Sequence, residues 1–495
     1  MKKLALLLLI TLLFVSCAKD VPVKDTINIA LSQEMPTLDV HRNSSQVIRY
    51  ILCGNTLERF IDRGDDGKPC PLLAESYEML EGGRKWVFKV KEGVMLHNGR
   101  EMDSEDVILS LNRWIENYTA VKKMCGTSRF FSEGSTVSIT FDHPVIFLDQ
   151  MMAESPYAAV IIARESIENT DENGFLKSYI GTGPYRFVSY ETGVAVTLEK
   201  YEGYRGSRRA EAKKLIYHFV PDSTVRTLGC ETGKYDFIND VMSSDFSRLR
   251  KNDDVVLSLG DEAGSFVLLF NKRGPLAKNV YIRKAVNTAL DLEGVMRACY
   301  GEEGFSLNHG YMEAWQGLWP NRNGSYGLND KEEAGTILSE GGYDGETFTI
   351  LTSNLSNMDK AALYIKSELE KAGMKVELLV TDWSTMMAWR SQEDKYDLCI
   401  TAMTAVPLPS LKLFFDPSYA GWSDDEHLQS MLSAFSESES YEDGLIIWDE
   451  IQSYCEEYLP VIVAGHYNSG YLYRSNLQGV KENNGFYFYD ACFRN

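Results

Sequence analysis

The sequence predicts an α/β protein of more than one domain, and three observations carry that expectation. Phe348 to Thr352 and Met374 to Val380 read as strands around a helix over 359–372 that Gly373 stops. That order implies a parallel pair with a right-handed crossover. Tyr281 to Cys299 reads as a helix with Ile282, Ala285, Val286, Ala289 and Leu290 on one face. At 495 residues the chain is too long for one core, so two or three domains are expected.

Composition removes several function classes. A hydrophobic fraction of 44% and an aromatic fraction of 12% suit packed cores rather than disorder. The net charge of -21 argues against nucleic acid, whose phosphates need Lys and Arg. It argues equally against a protein held by anionic lipid head groups. It suits a soluble, self-repelling protein at a cell surface.

The N-terminus has the build of an export signal over residues 1–16. Lys2 and Lys3 are basic, Leu4 to Val15 is almost wholly apolar, and Ser16-Cys17 ends the run. Phe14-Val15-Ser16-Cys17 resembles a bacterial lipobox, with Phe14 where Leu is usual. The resemblance implies that Cys17 is lipidated and that 17–25 is a tether. An ordinary secretory signal is the alternative. Cys53, Cys70, Cys125, Cys230, Cys299, Cys399, Cys455 and Cys492 form no CxxC pair and suggest neither a zinc site nor a disulfide framework. Buried free thiols and long-range disulfides both stay open.

The elements follow in order. Thr26 to Leu31 reads as a strand. Residues 46–61 carry apolar positions at helical spacing. Gly64-Asp65-Asp66-Gly67 is a turn, and Trp86, Phe88 and Val90 alternate as a strand. Asp103 can cap a helix whose apolar face is Val107, Leu111 and Trp114. Gly181-Thr182-Gly183-Pro184 is a tight turn. It leads into a hairpin of Tyr185 and Phe187, the turn Glu191-Thr192-Gly193, and Val194, Val196 and Leu198. Phe270-Asn271 ends an apolar strand. Glu332 to Tyr343 is a helix closed by Gly341 and Gly342.

Several of these stretches, taken together, resemble one family. Gly181 to Phe187 is similar to its GTGPY-x-F signature, and Pro71 to Ser76 to its P-x-LAES. Gly93 to Gly99 resembles GVKFHDG, and Ser104 to Val107 resembles AEDV. Arg283-Lys284-Ala285 and Ala289-Leu290-Asp291 resemble R-x-A and AID. The ordered set resembles the family 5 extracytoplasmic solute-binding proteins, receptors for peptide- and nickel-type ABC importers. The resemblance implies an α/β, two-lobed periplasmic-binding-protein-like fold (type II, family 5) with an extra inserted region in the first lobe. By analogy lobe I combines 26–60, 181–262 and 467–495, the inserted region is 61–180, and lobe II is 263–466. The implied function is capture of a solute by hinge closure and delivery to a membrane permease, with ABC permease and ATPase subunits as partners. A monomer held at the membrane by a lipid anchor is expected. No nucleic-acid partner and no cofactor are expected.

A peptide is the ligand the resemblance favours. The wall of the peptide pocket corresponds here to Tyr396 to Pro407. Met403 stands at the family's tryptophan and Val406 at the aspartate that pairs with a peptide's amino terminus, with Thr404 and Ala405 between them. The missing acid leaves an oligosaccharide, a metal chelate or a neutral or end-modified peptide as alternatives, and an acid from another segment as a substitute. Trp383 lies where a pocket tryptophan occurs, with core packing the alternative. Arg390 falls where a carboxylate-binding arginine occurs, with a plain surface charge the alternative. His41, Arg42, Asn43 and Ser44 would form the facing lip, and Trp422 is a further pocket candidate. His466, near the second hinge, is a candidate for contact with a chelate.

Enzyme readings fare poorly. There is no P-loop, HExxH, GxSxG or Rossmann glycine fingerprint, and the seven histidines are scattered singly. Asp424-Asp425-Glu426 reads as a helix cap. A lipid-anchored surface hydrolase is the rival of another class; it would need a nucleophile–base pair or convergent carboxylates in the cleft.

Overall fold

The structure, a computed structural model, describes residues 24–494 apart from 44, 155, 323, 325, 483 and 484. The expected signal peptide 1–16, Cys17, the tether up to residue 23, and Ser44 lie outside the described residues.

The chain opens with β1 (Thr26–Leu31), as its alternation predicts. The helical spacing over 46–61 yields only the short helix Gln46–Leu52. Cys53 is extended, and Gly54 turns at φ +76° against the Tyr487 ring, where a Cβ would lie 1.6 Å from a ring carbon. That close approach ends the helix. The hairpin of β2 (Ile61–Arg63) and β3 (Pro69–Pro71) follows, closed by the expected Gly64–Gly67 turn.

A separate sheet holds β4 (Ala74–Leu80), β5 (Lys85–Val90), β6 (Phe131–Glu133) and β7 (Thr136–Thr140), in the order β4-β5-β7-β6. Trp86, Phe88 and Val90 are buried on one face. Asp103 caps the helix Ser104–Asn117: its carboxylate accepts the amides of Glu105 and Asp106, and Asp106 returns a bond to the Asp103 amide.

β8 (Tyr185–Glu191) and β9 (Ala195–Lys200) form the expected hairpin around Gly193. Its Gly-Thr-Gly entry lies flat on residues 55–56. A Cβ on Gly181 would fall 2.2 Å from the Thr56 carbonyl oxygen, and one on Gly183 2.5 Å from that of Asn55. His97 clamps the turn: Nε2 lies 2.9 Å from the Gly183 carbonyl, and the Gly181 amide donates to Nδ1 at 3.2 Å.

The remaining strands are β10 (Lys214–Phe219), β11 (Phe237–Ile238), β12 (Val255–Phe270), β13 (Phe305–Ser306), β14 (Thr347–Ser353), β15 (Lys375–Thr381), β16 (Leu398–Thr404) and β17 (Val461–Arg474). Among the described residues eleven strands join one sheet, ordered β15-β14-β16-β12-β17-β11-β1-β10-β9-β8 with β13 beside β17. β14 runs parallel to β15 and β16, as the strand–helix–strand reading implies, and the helix between β14 and β15 is Met358–Lys371. β12 and β17 pair antiparallel through the middle and serve both halves. β12 pairs with β16 over Gly264–Phe270, and β17 pairs with β11 at Leu472 and Tyr473. The lobe boundaries expected at 262/263 and 466/467 fall inside these two strands, where Glu262 faces Asn468 and Ser265 faces His466.

Two readings change. The helix expected from Tyr281 to Cys299 is two helices, Val280–Ala289 and Leu292–Tyr300. Leu290 is extended, and the Asp291 carboxylate accepts the Gly294 amide to start the second helix. Both pieces still bury their apolar face; periodicity reports burial, not continuity. The 61–180 region also packs more widely than an appendage of the first lobe. The Phe147 ring centroid lies 5.1 Å from those of both Trp319 and Phe435, so its core continues into the 263–466 segment. Val160, Ile162, Leu176 and Tyr179 join the core beneath β1 and β10.

All eight described cysteines are free, and six of them are buried. No described helix is long and apolar enough to cross a membrane.

Candidate functional site

A cleft of about 190 Å³ opens beside the stretch where β12 loses register with β17. The helix Gln46–Leu52 lends it Gln46, Arg49 and Tyr50, and β2 lends Arg63. β12 supplies Asp261, Glu262 and Ala263; Thr404 and Ala405 close the end of β16; Trp315, Ser469 and Glu482 add to the wall, with Pro156 and Gly485.

Local irregularity in β12 builds much of this. Its ladder with β17 loses register between Leu259 and Glu262 and again between Glu262 and Gly264. A bulge of this kind re-aims side chains. Glu262 is turned onto the 306–315 loop and saturated there. It accepts the Ser306 hydroxyl, the Asn308 amide group at 3.2 Å and the Ala314 amide at 2.5 Å. Its backbone carbonyl accepts the Trp315 indole N–H at 2.8 Å. Glu262 is thus a scaffold that fixes Trp315.

Charge of both signs faces the cleft. The Arg63 guanidinium stacks 4.2 Å from the Trp315 ring centroid and lies 3.6 Å from Asp261 and 3.9 Å from Glu154. Burial pulls the Arg49 pKa down from its usual range. Glu482 sits on β19 (Lys481–Glu482), which follows β18 (Leu477–Gln478) and pairs with β20 (Phe486–Tyr487). Burial, and then the charge of Asp261, pushes its carboxyl up to about 7; the Tyr471 hydroxyl and Arg63 pull the other way.

The residues singled out from sequence divide. Thr404 and Ala405 line the cleft, with the Ala405 amide bonded to the Ala263 carbonyl at 3.1 Å. Met403 is buried in the core instead. Val406 is half-buried and lies outside the lining, its carbonyl accepting the Gln316 amide group at 2.7 Å. Trp383 starts the helix Trp383–Trp389, capped by Asp382, and packs half-buried between two cores. Arg390 lies 4.6 Å over the Tyr419 ring. Trp422 is buried, with Arg273 5.5 Å from its ring. None of these last three lines the cleft.

The expected lip at 41–44 is displaced by a few residues. His41 is fully buried, its Nε2 3.1 Å from the Val160 carbonyl, and burial pulls its pKa down to about 4. Arg42 stacks 4.3 Å over Phe175 and donates to the Asn173 carbonyl. Asn43 accepts the Ser45 amide at 2.8 Å. The wall comes from Gln46, Arg49 and Tyr50, one turn later.

His466 belongs to a sealed polar group. Its Nε2 is 3.1 Å from the Ser265 hydroxyl, and its Nδ1 is 2.9 Å from the Asn308 carbonyl. Ser265 also reaches Glu313 at 3.3 Å. A serine–histidine pair would interest the hydrolase reading. Here both side chains are fully buried, and the carboxylate lies on the serine side of the ring, so it does not orient the imidazole through Nδ1. Asp425 caps the helix Glu426–Ser436, as expected. Among the described residues no three His, Cys, Asp or Glu are grouped to hold a metal ion.

Sequence reading missed Arg49, Tyr50, Arg63, Asp261, Trp315 and Glu482. One signal was available: Gly260-Asp261-Glu262-Ala263-Gly264 sets two acids between glycines inside an otherwise apolar strand.

Two α/β halves sharing a pair of long antiparallel strands, with a charged cleft beside them, define a two-lobed binding protein of the periplasmic-binding-protein type. Residues 68–424 match the family described as "Bacterial extracellular solute-binding proteins, family 5 Middle". The chain belongs to family 5 of the bacterial extracellular solute-binding proteins. It is 24% identical over 370 residues to the oligopeptide-binding protein AppA of Bacillus subtilis, covering 67% of this chain and 65% of that one. It is 25% identical over 331 residues to the glutathione-binding protein GsiB of Pectobacterium atrosepticum, covering 64% and 62%. The aligned part thus spans just under two thirds of these relatives. Among solved structures, the ABC transporter substrate binding protein CtaP of Listeria monocytogenes superposes with a TM-score of 0.84 at 18% identity, covering 95% of this chain and 99% of that one. A dipeptide binding protein from Pseudoalteromonas in complex with Met-Leu gives 0.77 at 19% identity, covering 95% and 100%.

Proposed function

We propose that this protein is the substrate-binding component of an ABC importer, that it captures a short peptide by closing its lobes, and that it delivers the peptide to a membrane permease. The observation that carries the reading is the cleft itself, with Arg49 and Arg63 beside Asp261 and Glu482. Opposite charges in one small cleft suit a ligand that carries both an ammonium and a carboxylate. About 190 Å³ is small against the roughly 300–1,000 Å³ of typical ligand pockets, which favours a peptide of few residues. The names of the oligopeptide, glutathione and dipeptide relatives agree with that class. β12 and β17, shared by both lobes, are the natural hinge. No reaction is ascribed to the protein; its work is binding. Extracytoplasmic placement, a lipid on Cys17, a monomeric state and an ABC permease with its ATPase as partners complete the proposal.

Native mass spectrometry of the purified protein tests the ligand. A co-purifying mass that fragments as a peptide of two to about five residues, a length matched to the small cleft, is expected. A released oligosaccharide or metal chelate overturns the peptide reading.

A further inference from the structure

Two carboxylates reach the same wall of the cleft from distant segments. Asp261 lies in the stretch of β12 that falls out of register with β17 between Leu259 and Glu262. Glu482 arrives on the β19–β20 hairpin more than two hundred residues later. Gly260 makes the meeting possible. A Cβ there would lie 2.4 and 2.6 Å from the two carboxylate oxygens of Glu482, so the acid fits against bare backbone next to Asp261.

Two like charges held together in a partly desolvated wall favour a cation between them. Asp261 is half exposed and faces Arg63 at 3.6 Å, and Arg63 is itself shared with Glu154 and stacked on Trp315. Glu262, the third acid of the wall, is saturated by the 306–315 loop. The wall at 403–406 offers no acid, since Met403 is buried and Val406 is apolar.

We propose that Asp261 and Glu482 together bind the ammonium group of the ligand, so that the protein selects peptides with a free amino terminus. The inference rests on the peptide reading above. Occupancy then depends on pH through Glu482, whose carboxyl burial pushes up to about 7. The groups facing it are Asp261 and Glu262 on β12, Tyr471 on β17, Arg63 on β2, and Arg49 and Tyr50 on the helix. Burial pushes the Tyr50 and Tyr471 hydroxyls up, away from neutrality. Lys481, beside it, is paired with Asp490 at 2.5 Å.

Calorimetric titration with a defined set of dipeptides and tripeptides, each unmodified and N-acetylated, tests this on wild type, Glu482→Gln and Asp261→Asn. Acetylation is expected to weaken wild-type binding roughly 10- to 100-fold, the range for one charged hydrogen-bonded contact. Glu482→Gln should weaken the unmodified peptides by a similar factor and shrink the preference over acetylated ones. Wild-type affinity should fall about tenfold from pH 8 to pH 5.5, and that of Glu482→Gln should stay nearly flat. Equal binding of both peptide forms by wild type overturns the inference and leaves the peptide reading standing. Binding of neither form overturns both. Acetylation needs no variant, so a misfolded substitution does not blunt the test.

Discussion

The Lys412 ammonium lies 2.7 and 2.9 Å from the two oxygens of the Glu313 carboxylate, and both side chains are closed off from solvent. Ser265 and His466, paired across β12 and β17, meet the same carboxylate. Glu313 also adjoins Ala314 and Trp315, which Glu262 fixes at the cleft. The pair therefore ties β12 and β17 to the cleft wall. Removing one partner strands a buried charge, so Lys412→Met should cost about 3–5 kcal/mol. Lys412→Met with Glu313→Gln should cost less than Lys412→Met alone. Urea unfolding of the two variants checks the order.

Gly181 and Gly183 are needed for close approach, not for turn conformation alone. Gly183→Ala should destabilise by roughly 1–3 kcal/mol, the usual cost of forcing atoms into filled space. Chemical denaturation measures it. An alanine at Gly193, where nothing lies within 4 Å of the would-be Cβ, should cost only its φ penalty.

His97 is half-buried and held neutral, its pKa pulled from 6.5 to about 4 chiefly by desolvation. Between those values the unfolded chain binds more protons than the folded one. Stability should therefore fall as pH drops from about 6.5 towards 4, by up to roughly 3 kcal/mol for this residue. His97→Gln should flatten that part of the stability–pH curve.

Glu482 has the opposite sign. Its carboxyl is raised from 4.5 to about 7, so the folded state binds more protons between those values. Its contribution to stability is lost as pH rises through that window. In ligand-free protein, Glu482→Gln should melt a few degrees above wild type at pH 8 and alongside it at pH 4. A pH series of melting curves decides this without any ligand.

Burial also governs the thiols. Cys70 and Cys492 are half-buried, and the other six described cysteines are buried. Burial pushes the Cys125, Cys230, Cys299 and Cys399 thiols up to about 12. A thiol reagent at pH 8 should label Cys70 and Cys492 in the native protein and all eight only after unfolding.

Much of the fold was legible because its causes are local. Asp103 and Asp425 cap their helices, Gly193 and Gly373 turn the chain, and the 347–381 unit crosses as strand–helix–strand. Each is decided within a few residues by φ preference, side-chain capping or periodicity. The same signals overreached where contact with distant chain ended a helix, as Tyr487 does at Gly54. The family, too, was legible, since its motifs keep their order along the chain.

The cleft was not. Arg49, Arg63, Asp261, Trp315, Thr404 and Glu482 come from six segments, and no spacing in the chain relates them. The bulge that turns Asp261 outward depends on pairing with β17, and the burial that makes Glu482 a poised acid depends on Gly260. Propensity and pattern act over a few residues and can be read in line. Desolvation and close approach act through space, so only the tertiary structure decided which charges face the ligand.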